Sequence, residues 1–429
     1  MKAPRTLLAV LVSACITVGV GASTQLAVAS ALRAAPPAAS APQAAAPAYI
    51  AVIDAGSSGT RLDLFADAPG TFAATRVLRS SPNTAGLSSF AETPDKAGPD
   101  AVAPLLAQLD AYLAKEGIAI ADVPVGLRAT AGMRALELVN AAAVKAIFSS
   151  TGATLASSGH PVLANGILPS YQEASLAWVD TNALNGSLHQ KLDSLGVVEI
   201  GGASAQVAFR SSTSSGPGVT RVRVDGEAIP LVAVSYLGLG VNMARDAMQT
   251  AHKGGSFCLP RNASGTDPAV YDMGLVIAVD SVEARYELRR CAQAYADIVD
   301  KVGATGAVVP DDLRDRPGFS ASRFIGLGSV SFVLKDFDIS PNEAEEGAAL
   351  TAGLRSTCRG ANAWPRVEAV YGEVSAYAET LCPNASLVRL FVFGKRGVGI
   401  SGAAFEGAPQ FGDRAPSWPA GYATTILHP

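Results

Sequence analysis

The sequence predicts an α/β protein built from two related halves that face each other. Two observations carry this. A hairpin pattern, in which an acidic residue precedes a bend of small residues and Ser, occurs at Asp54 and again at Glu199, about 145 residues further on. An ordinary repeat array would need more copies at a shorter period. Around both hairpins, apolar runs of strand length alternate with longer stretches of helical periodicity. The chain can fill such a fold, since 49% of its 429 residues are hydrophobic and only 16% are charged. Length allows two or three domains, or one very large one.

The elements follow in order. Tyr49-Ile50-Ala51-Val52-Ile53 is a short apolar run typical of a buried strand. Gly56 to Gly59 supplies a turn, and Arg61-Leu62-Asp63-Leu64-Phe65 alternates as a half-buried strand does, so the pair reads as a hairpin. Residues 99–116 place Val102, Leu105, Leu106, Leu109, Tyr112 and Leu113 on one helical stripe, ended by Gly117. Val123 to Leu127 reads as a strand, Met133 to Phe148 as one helix, and Tyr171 to Leu184 as another. Val197-Val198-Glu199-Ile200 and Ala205 to Phe209 form the second hairpin about Gly201-Gly202-Ala203-Ser204.

Ahead of the first strand stands an export signal. Lys2 and Arg5 form a charged start, Leu7 to Val20 is apolar, and Ala27-Val28-Ala29 is a cleavage pattern. An Ala/Pro-rich linker runs to Ala48. Val12-Ser13-Ala14-Cys15 offers the alternative of a lipid-anchored Cys15. No later apolar run reaches the ~18–20 residues of a membrane span. The expected location is periplasmic or secreted. Cysteine usage fits export: Cys258, Cys291, Cys358 and Cys382 allow three pairings, of which the sequence-local one is the simplest. With 33 basic against 37 acidic residues, the chain is no polybasic nucleic-acid binder. Its four histidines, at 160, 189, 252 and 428, form no HExxH and no metal-ligand pair, which argues against a zinc hydrolase.

The hairpins carry the chemistry. A bend rich in Gly and Ser exposes successive backbone N–H groups as a nest for phosphate oxygens. Ser57, Ser58 and Thr60 add hydroxyl donors, and Arg61 adds a fixed cation suited to phosphate. Asp54 stands just before the nest, where a hard cation bridges carboxylate and phosphate, usually through water. Glu199 mirrors Asp54 in the second hairpin, and Ser204 and Gln206 lie where they can orient a water. Between the hairpins, Leu127 to Arg134 forms a strand-turn-helix junction with Thr130 and Arg134, favourable to anions. Phosphoryl transfer to water also needs a base, and Glu173 in a nearly uncharged helix is the candidate.

In this order and spacing, Asp54 to Arg61, Ala129 to Arg134, Glu173 to Trp178 and Glu199 to Gln206 resemble the first four conserved regions of the apyrase family of nucleoside triphosphate diphosphohydrolases. Phe324 to Phe332 resembles the fifth, and Trp418-Pro419-Ala420-Gly421 is similar to the family's closing W-x-x-G. The four cysteines resemble the two bridges of its second domain. The resemblance implies an actin/hexokinase-like architecture, with two RNase H-like domains flanking a cleft. After the signal at residues 1–29 and the linker at 30–48, the expected division is a first domain of 49–165 plus about 400–429 and a second of 166–399. The resemblance also implies Mg²⁺- or Ca²⁺-dependent removal of terminal phosphate from nucleoside tri- and diphosphates by a monomeric enzyme. Glu173 would be the base, with Thr130 positioning it or the water. Ser204 and Gln206 would hold that water. Ser57, Ser58, Gly59, Thr60, Gly202 and Ala203 would cradle phosphates, and Arg61 and Arg134 would stabilise them or the cleft. Asp54 and Glu199 would hold the hydrated metal.

The chain departs from the family at Glu199 and Ala205, where Asp and Thr are usual, and in lacking the aromatic run of the fifth region. Three sequons start at Asn185, Asn262 and Asn384. Gly397 to Gly402 matches GxGxxG, but too little chain follows for a dinucleotide fold. The competing readings are an exopolyphosphatase or guanosine-pentaphosphate phosphatase, a sugar kinase of the same superfold, and a catalytically silent nucleotide-binding surface protein.

Overall fold

The computed structural model describes residues 48–429 apart from 69, 192, 253–254, 261–284, 306–307, 340–345, 360–362, 372–377, 408–410 and 412–413. The expected signal, nearly all of the linker, Cys15 and the sequon at Asn262 lie outside the described residues.

Two five-stranded sheets form the frame. In the first, β1 (Tyr49–Ala55), β2 (Thr60–Ala66) and β3 (Thr75–Arg79) run antiparallel, while β4 (Val125–Ala129) and β5 (Val162–Ile167) continue parallel on the other side of β1. In the second, β6 (Leu195–Ile200) pairs antiparallel with β7 (Ser204–Arg210), which pairs with β9 (Glu227–Leu237), and β8 (Val219–Val224) closes that edge. β10 (Arg323–Gly328) runs parallel to β6. Each sheet thus combines an antiparallel hairpin with a parallel neighbour on its leading strand.

Strand alternation divides the core. Ala51, Ile53 and Ala55 of β1 face outward onto α1 (Ala103–Glu116), α2 (Ala131–Val139) and α3 (Ala141–Ser157). Ile50 and Val52 face inward. In the second sheet Val198 and Ile200 face an outer helical layer, and Val197 faces the same inner core as Ile50. The inner core is filled by α4 (Ser170–Leu184), which is buried continuously from Glu173 to Ala183.

The outer layer of the second half contains α5 (Val241–Ala251), α6 (Leu288–Gly303), α7 (Ser329–Asp336), α8 (Glu346–Gly353), α9 (Ala363–Tyr371) and α10 (Ala378–Val388). Two disulfides, Cys258–Cys291 and Cys358–Cys382, staple it, with Cα separations of 5.0 and 6.0 Å. The chain then returns to the inner core as α11 (Trp418–Leu427), packed against α4 and β1. There α4 and α11 touch backbone to backbone: a methyl group on Gly421 would stand 1.9 Å from Leu176 O. Asp180 Oδ2 accepts from Ser417 N at the start of α11 (2.8 Å), and Arg414 lies 3.7 Å from Oδ1. Among the described residues, no helix is long and apolar enough to cross a membrane.

One predicted element is divided. The helix expected over 133–148 is two, broken at Asn140, whose φ of −151° ends α2 and whose side chain accepts from Ala143 N to start α3 (3.0 Å). The helix expected over 99–116 opens with a π-type segment at residues 97–102 and ends on Gly117 in the left-handed region.

Candidate active site

The two hairpins are built to one plan. In the first, Ala55 pairs with Thr60 and Asp54 with Arg61, leaving Gly56 to Gly59 as a four-residue bend. In the second, Ile200 pairs with Ala205 and Glu199 with Gln206, leaving Gly201 to Ser204. Asp54 and Glu199 therefore occupy equivalent positions, one pair outside each bend.

The bends meet. A methyl group on Gly202 would stand 2.8 Å from Ser57 Oγ, so the second bend approaches the first at this hydroxyl. The second bend is also held from behind. Gly201 O accepts from Val241 N (2.9 Å), Gly202 O from Asn242 N (2.9 Å) and Ala203 O from Gly238 N (2.8 Å). In a trans peptide the C=O and N–H point opposite ways. With these carbonyls committed toward the start of α5, the N–H groups of Gly202, Ala203 and Ser204 turn away from it, as an anion nest requires.

Glu173 sits in the first turn of α4 and is 8% exposed, so it is not the solvated surface carboxylate that a helical Glu usually is. Arg134 reaches from α2 to pair with Glu173 Oε2 (2.7 Å) and donates to Ser204 Oγ on the second sheet (3.2 Å). Gln206 Nε2 donates to Ser204 Oγ (2.5 Å) and to Ser235 Oγ (3.3 Å). Ser204 accepts twice, so its own proton is what it has left to give. One arginine thereby links the first half, the central helix and the second half.

Asp54 is buried, and Glu199 is half-buried. Asp54 pairs with Arg61, yet burial outweighs the pair and pushes its carboxyl up to about 6. Burial, then the nearby negative charges of Glu173 and Asp54, push Glu199 up to about 8. Asp54 Oδ1 and Glu199 Oε2 are each buried without a hydrogen-bond partner. Two orphaned carboxylate oxygens from facing hairpins fit a hard cation that keeps several waters. Among the described residues no cluster of three or more His, Cys, Asp or Glu could hold a metal by side chains alone.

The structure brings together Asp54, Ser57, Glu173, Arg134, Glu199, Gly202, Ser204 and Gln206. Ser58 stands exposed at the tip of the first bend, whereas Gly59 is buried beneath it. Thr130 caps α2 and donates its N–H to Ala55 O (3.2 Å), but the group that contacts Glu173 is Arg134. Thr60 differs from expectation. It is fully buried, and its hydroxyl donates to Ala85 O (2.8 Å), so it braces the hairpin. Sequence reasoning did not single out Asn242, whose Nδ2 lies 3.1 Å from the same methyl position on Gly202. Gly238-Leu239-Gly240 before a helix was the available signal.

The profile of the GDA1/CD39 (nucleoside phosphatase) family matches residues 41–265. The nucleoside diphosphate phosphatase ENTPD5 of Homo sapiens is 32% identical over 239 residues, covering 50% of this chain and 53% of that protein. Probable apyrase 6 of Arabidopsis thaliana is 34% identical over 209 residues, covering 47% and 37%. The chain thus spans about half the length of the curated relatives it matches. Among solved structures, the nucleoside triphosphate hydrolases of Neospora caninum superpose with a TM-score of 0.57 at 15% identity, over 89% of this chain and 93% of that one. With the two mixed sheets, this likeness gives the actin/hexokinase-like α/β fold.

Proposed function

The chain belongs to the GDA1/CD39 (nucleoside phosphatase) family, and from that membership we propose that it hydrolyses the terminal phosphates of nucleoside tri- and diphosphates. The observation that carries the reading is the meeting of the two bends at Ser57 and Gly202, with Glu173 held beside them by Arg134. The bends bind the phosphate chain through backbone N–H groups and the hydroxyls of Ser57 and Ser58. Ser204 and Gln206 orient a water, and Glu173 takes its proton as the oxygen attacks the terminal phosphorus. The bond from that phosphorus to the bridging oxygen breaks, and the shortened nucleotide leaves with its oxygen. Asp54 and Glu199 would hold Mg²⁺ or Ca²⁺, which would supply charge neutralisation at the phosphates.

The domain division we propose assigns 49–165 with about 400–429 to one domain and 166–399 to the other, the two meeting in the inner core. It is supported by the contacts of α11 with β1 and of α4 with β6, β7 and β9. A secreted or periplasmic location is supported by the two disulfides, which persist in oxidising compartments.

The test is phosphate release from a panel of nucleoside tri-, di- and monophosphates and polyphosphate, with Mg²⁺, Ca²⁺ or EDTA. Release from tri- and diphosphates, none from monophosphates, and arrest by EDTA are expected. Glu173→Gln should lower the rate by ~10²–10⁴ while nucleotide binding survives. Full turnover in EDTA would remove the cation from the reading, and full turnover in Glu173→Gln would remove the base.

A further inference from the structure

Asn242 opens α5, the helix that backs the second bend. Its main-chain N–H donates to Gly202 O. Its side chain is half-buried, and Nδ2 lies 3.1 Å from the point where a methyl group on Gly202 would stand. Ser57 Oγ, from the opposite half, lies 2.8 Å from that same point. The Asn242 amide is thus on the seam between the two bends.

Its orientation is set from behind. Asn242 Oδ1 accepts from Arg245 Nη2 (3.0 Å), one turn along α5. A guanidinium only donates, so it selects the amide oxygen and leaves the nitrogen on the side of the bends. Arg245 is itself buried, at 4% exposure, and its Nη1 donates to Asn384 Oδ1 on α10 (2.9 Å). Asn384 lies two residues beyond Cys382, the end of a disulfide. The chain Asn384–Arg245–Asn242 therefore runs from a stapled helix to the phosphate seam. A carboxamide aimed by an arginine at an anion nest is a donor for an oxyanion.

We propose that Asn242 is a phosphate-binding residue of the second wall, and that Arg245 is its positioning residue. This rests on the reading under Proposed function, with Asn242 added to the groups named there.

The experiment uses the full chain with Mg²⁺ and the variants Asn242→Ala, Asn242→Asp, Arg245→Lys, Arg245→Met and Asn242→Ala/Arg245→Met. Three quantities are read: kcat and KM for ATP and ADP, calorimetric affinity for ATP and inorganic tripolyphosphate in a Glu173→Gln background, and the melting temperature. Asn242→Ala should raise KM and weaken both ligands about ten-fold, with kcat much less affected, as loss of a uniform binding contact requires. Asn242→Asp should be worse, Arg245→Lys intermediate, and the double variant no weaker than Asn242→Ala alone, because Arg245 acts through Asn242. Unchanged affinity in both Asn242 variants would overturn the proposal, as would additive losses in the double variant. If Arg245→Met does not fold, the Asn242 variants still decide. If the wild type releases no phosphate from nucleotides, the hydrolase reading fails, while the tripolyphosphate arm still tests Asn242 alone.

Discussion

Arg134 and Thr60 show how far a residue type predicts a role. Both stand in phosphate-like motifs, yet one reaches the proposed base and the other turns into the fold. Arg134 meets Glu173 across 39 residues of sequence and Ser204 across 70. No local pattern contains such pairings, because they exist only once α2, α4 and β7 are assembled. Asp54 and Glu199 were legible because an acidic residue before a Gly-Ser bend is a local signature. The inward turn of Thr60 was not legible because the partner of its hydroxyl, Ala85 O, lies 25 residues away. Thr60→Val should lower stability by ~1 kcal/mol, the net worth of one buried hydrogen bond, and leave KM for nucleotides unmoved. Urea unfolding together with steady-state kinetics checks this; a KM raised several-fold without loss of stability would return Thr60 to the phosphates.

At the scale of elements, the hairpins and α4 were readable, and the edges of the sheets were not. β3 alternates exposed and half-buried residues, and β8 carries Arg221 and Arg223, so neither edge strand shows a plain apolar run. The span 133–148 read as one helix because its apolar residues repeat through Asn140, where capping overrides the pattern. The central pair matters most for the site, since α4 bears Glu173 and is pressed against α11 at Gly421. Gly421→Ala drives a methyl group into Leu176 O, and overpacking of this kind costs roughly 1–3 kcal/mol. We expect a lowered melting temperature together with a lower kcat, because relief moves α4. A variant that melts lower but keeps its kcat would uncouple the helix contact from the base. Asp180 pins the same pair of helices. Burial pushes its carboxyl up to about 7, with Ser417 N, Arg414 and Arg76 opposing. An unfolded aspartate titrates near ~4, so between these values the folded chain keeps a proton that the unfolded chain has lost. Its contribution to stability therefore falls as pH rises from about 4 to about 7, by ~1 kcal/mol per pH unit, and levels off above. Urea titrations at several pH values should show a shallower dependence in Asp180→Asn, and equal slopes would dismiss Asp180 as the titrating group.

Across the whole molecule, the two-half organisation was visible in the repeated hairpin, but its sharing of one inner core was not. α4 shows no apolar stripe because it is buried on every side, and α11 joins it from far along the chain. The two disulfides lie in the second half alone, closing sequence separations of 33 and 24 residues. Opening either should cost ~3 kcal/mol. A reductant should therefore lower the urea midpoint of the oxidised protein, while Cys258→Ser/Cys291→Ser should respond to it less than the wild type does.

The hydrogen bond from Ala74 N to Thr424 Oγ1 spans 350 residues. Ile50, Val52 and Phe65 lie far ahead in sequence of the helix that covers them. The first sheet therefore cannot close its inner face until Trp418 to Leu427 has docked on it, so folding of this half waits on the last segment described.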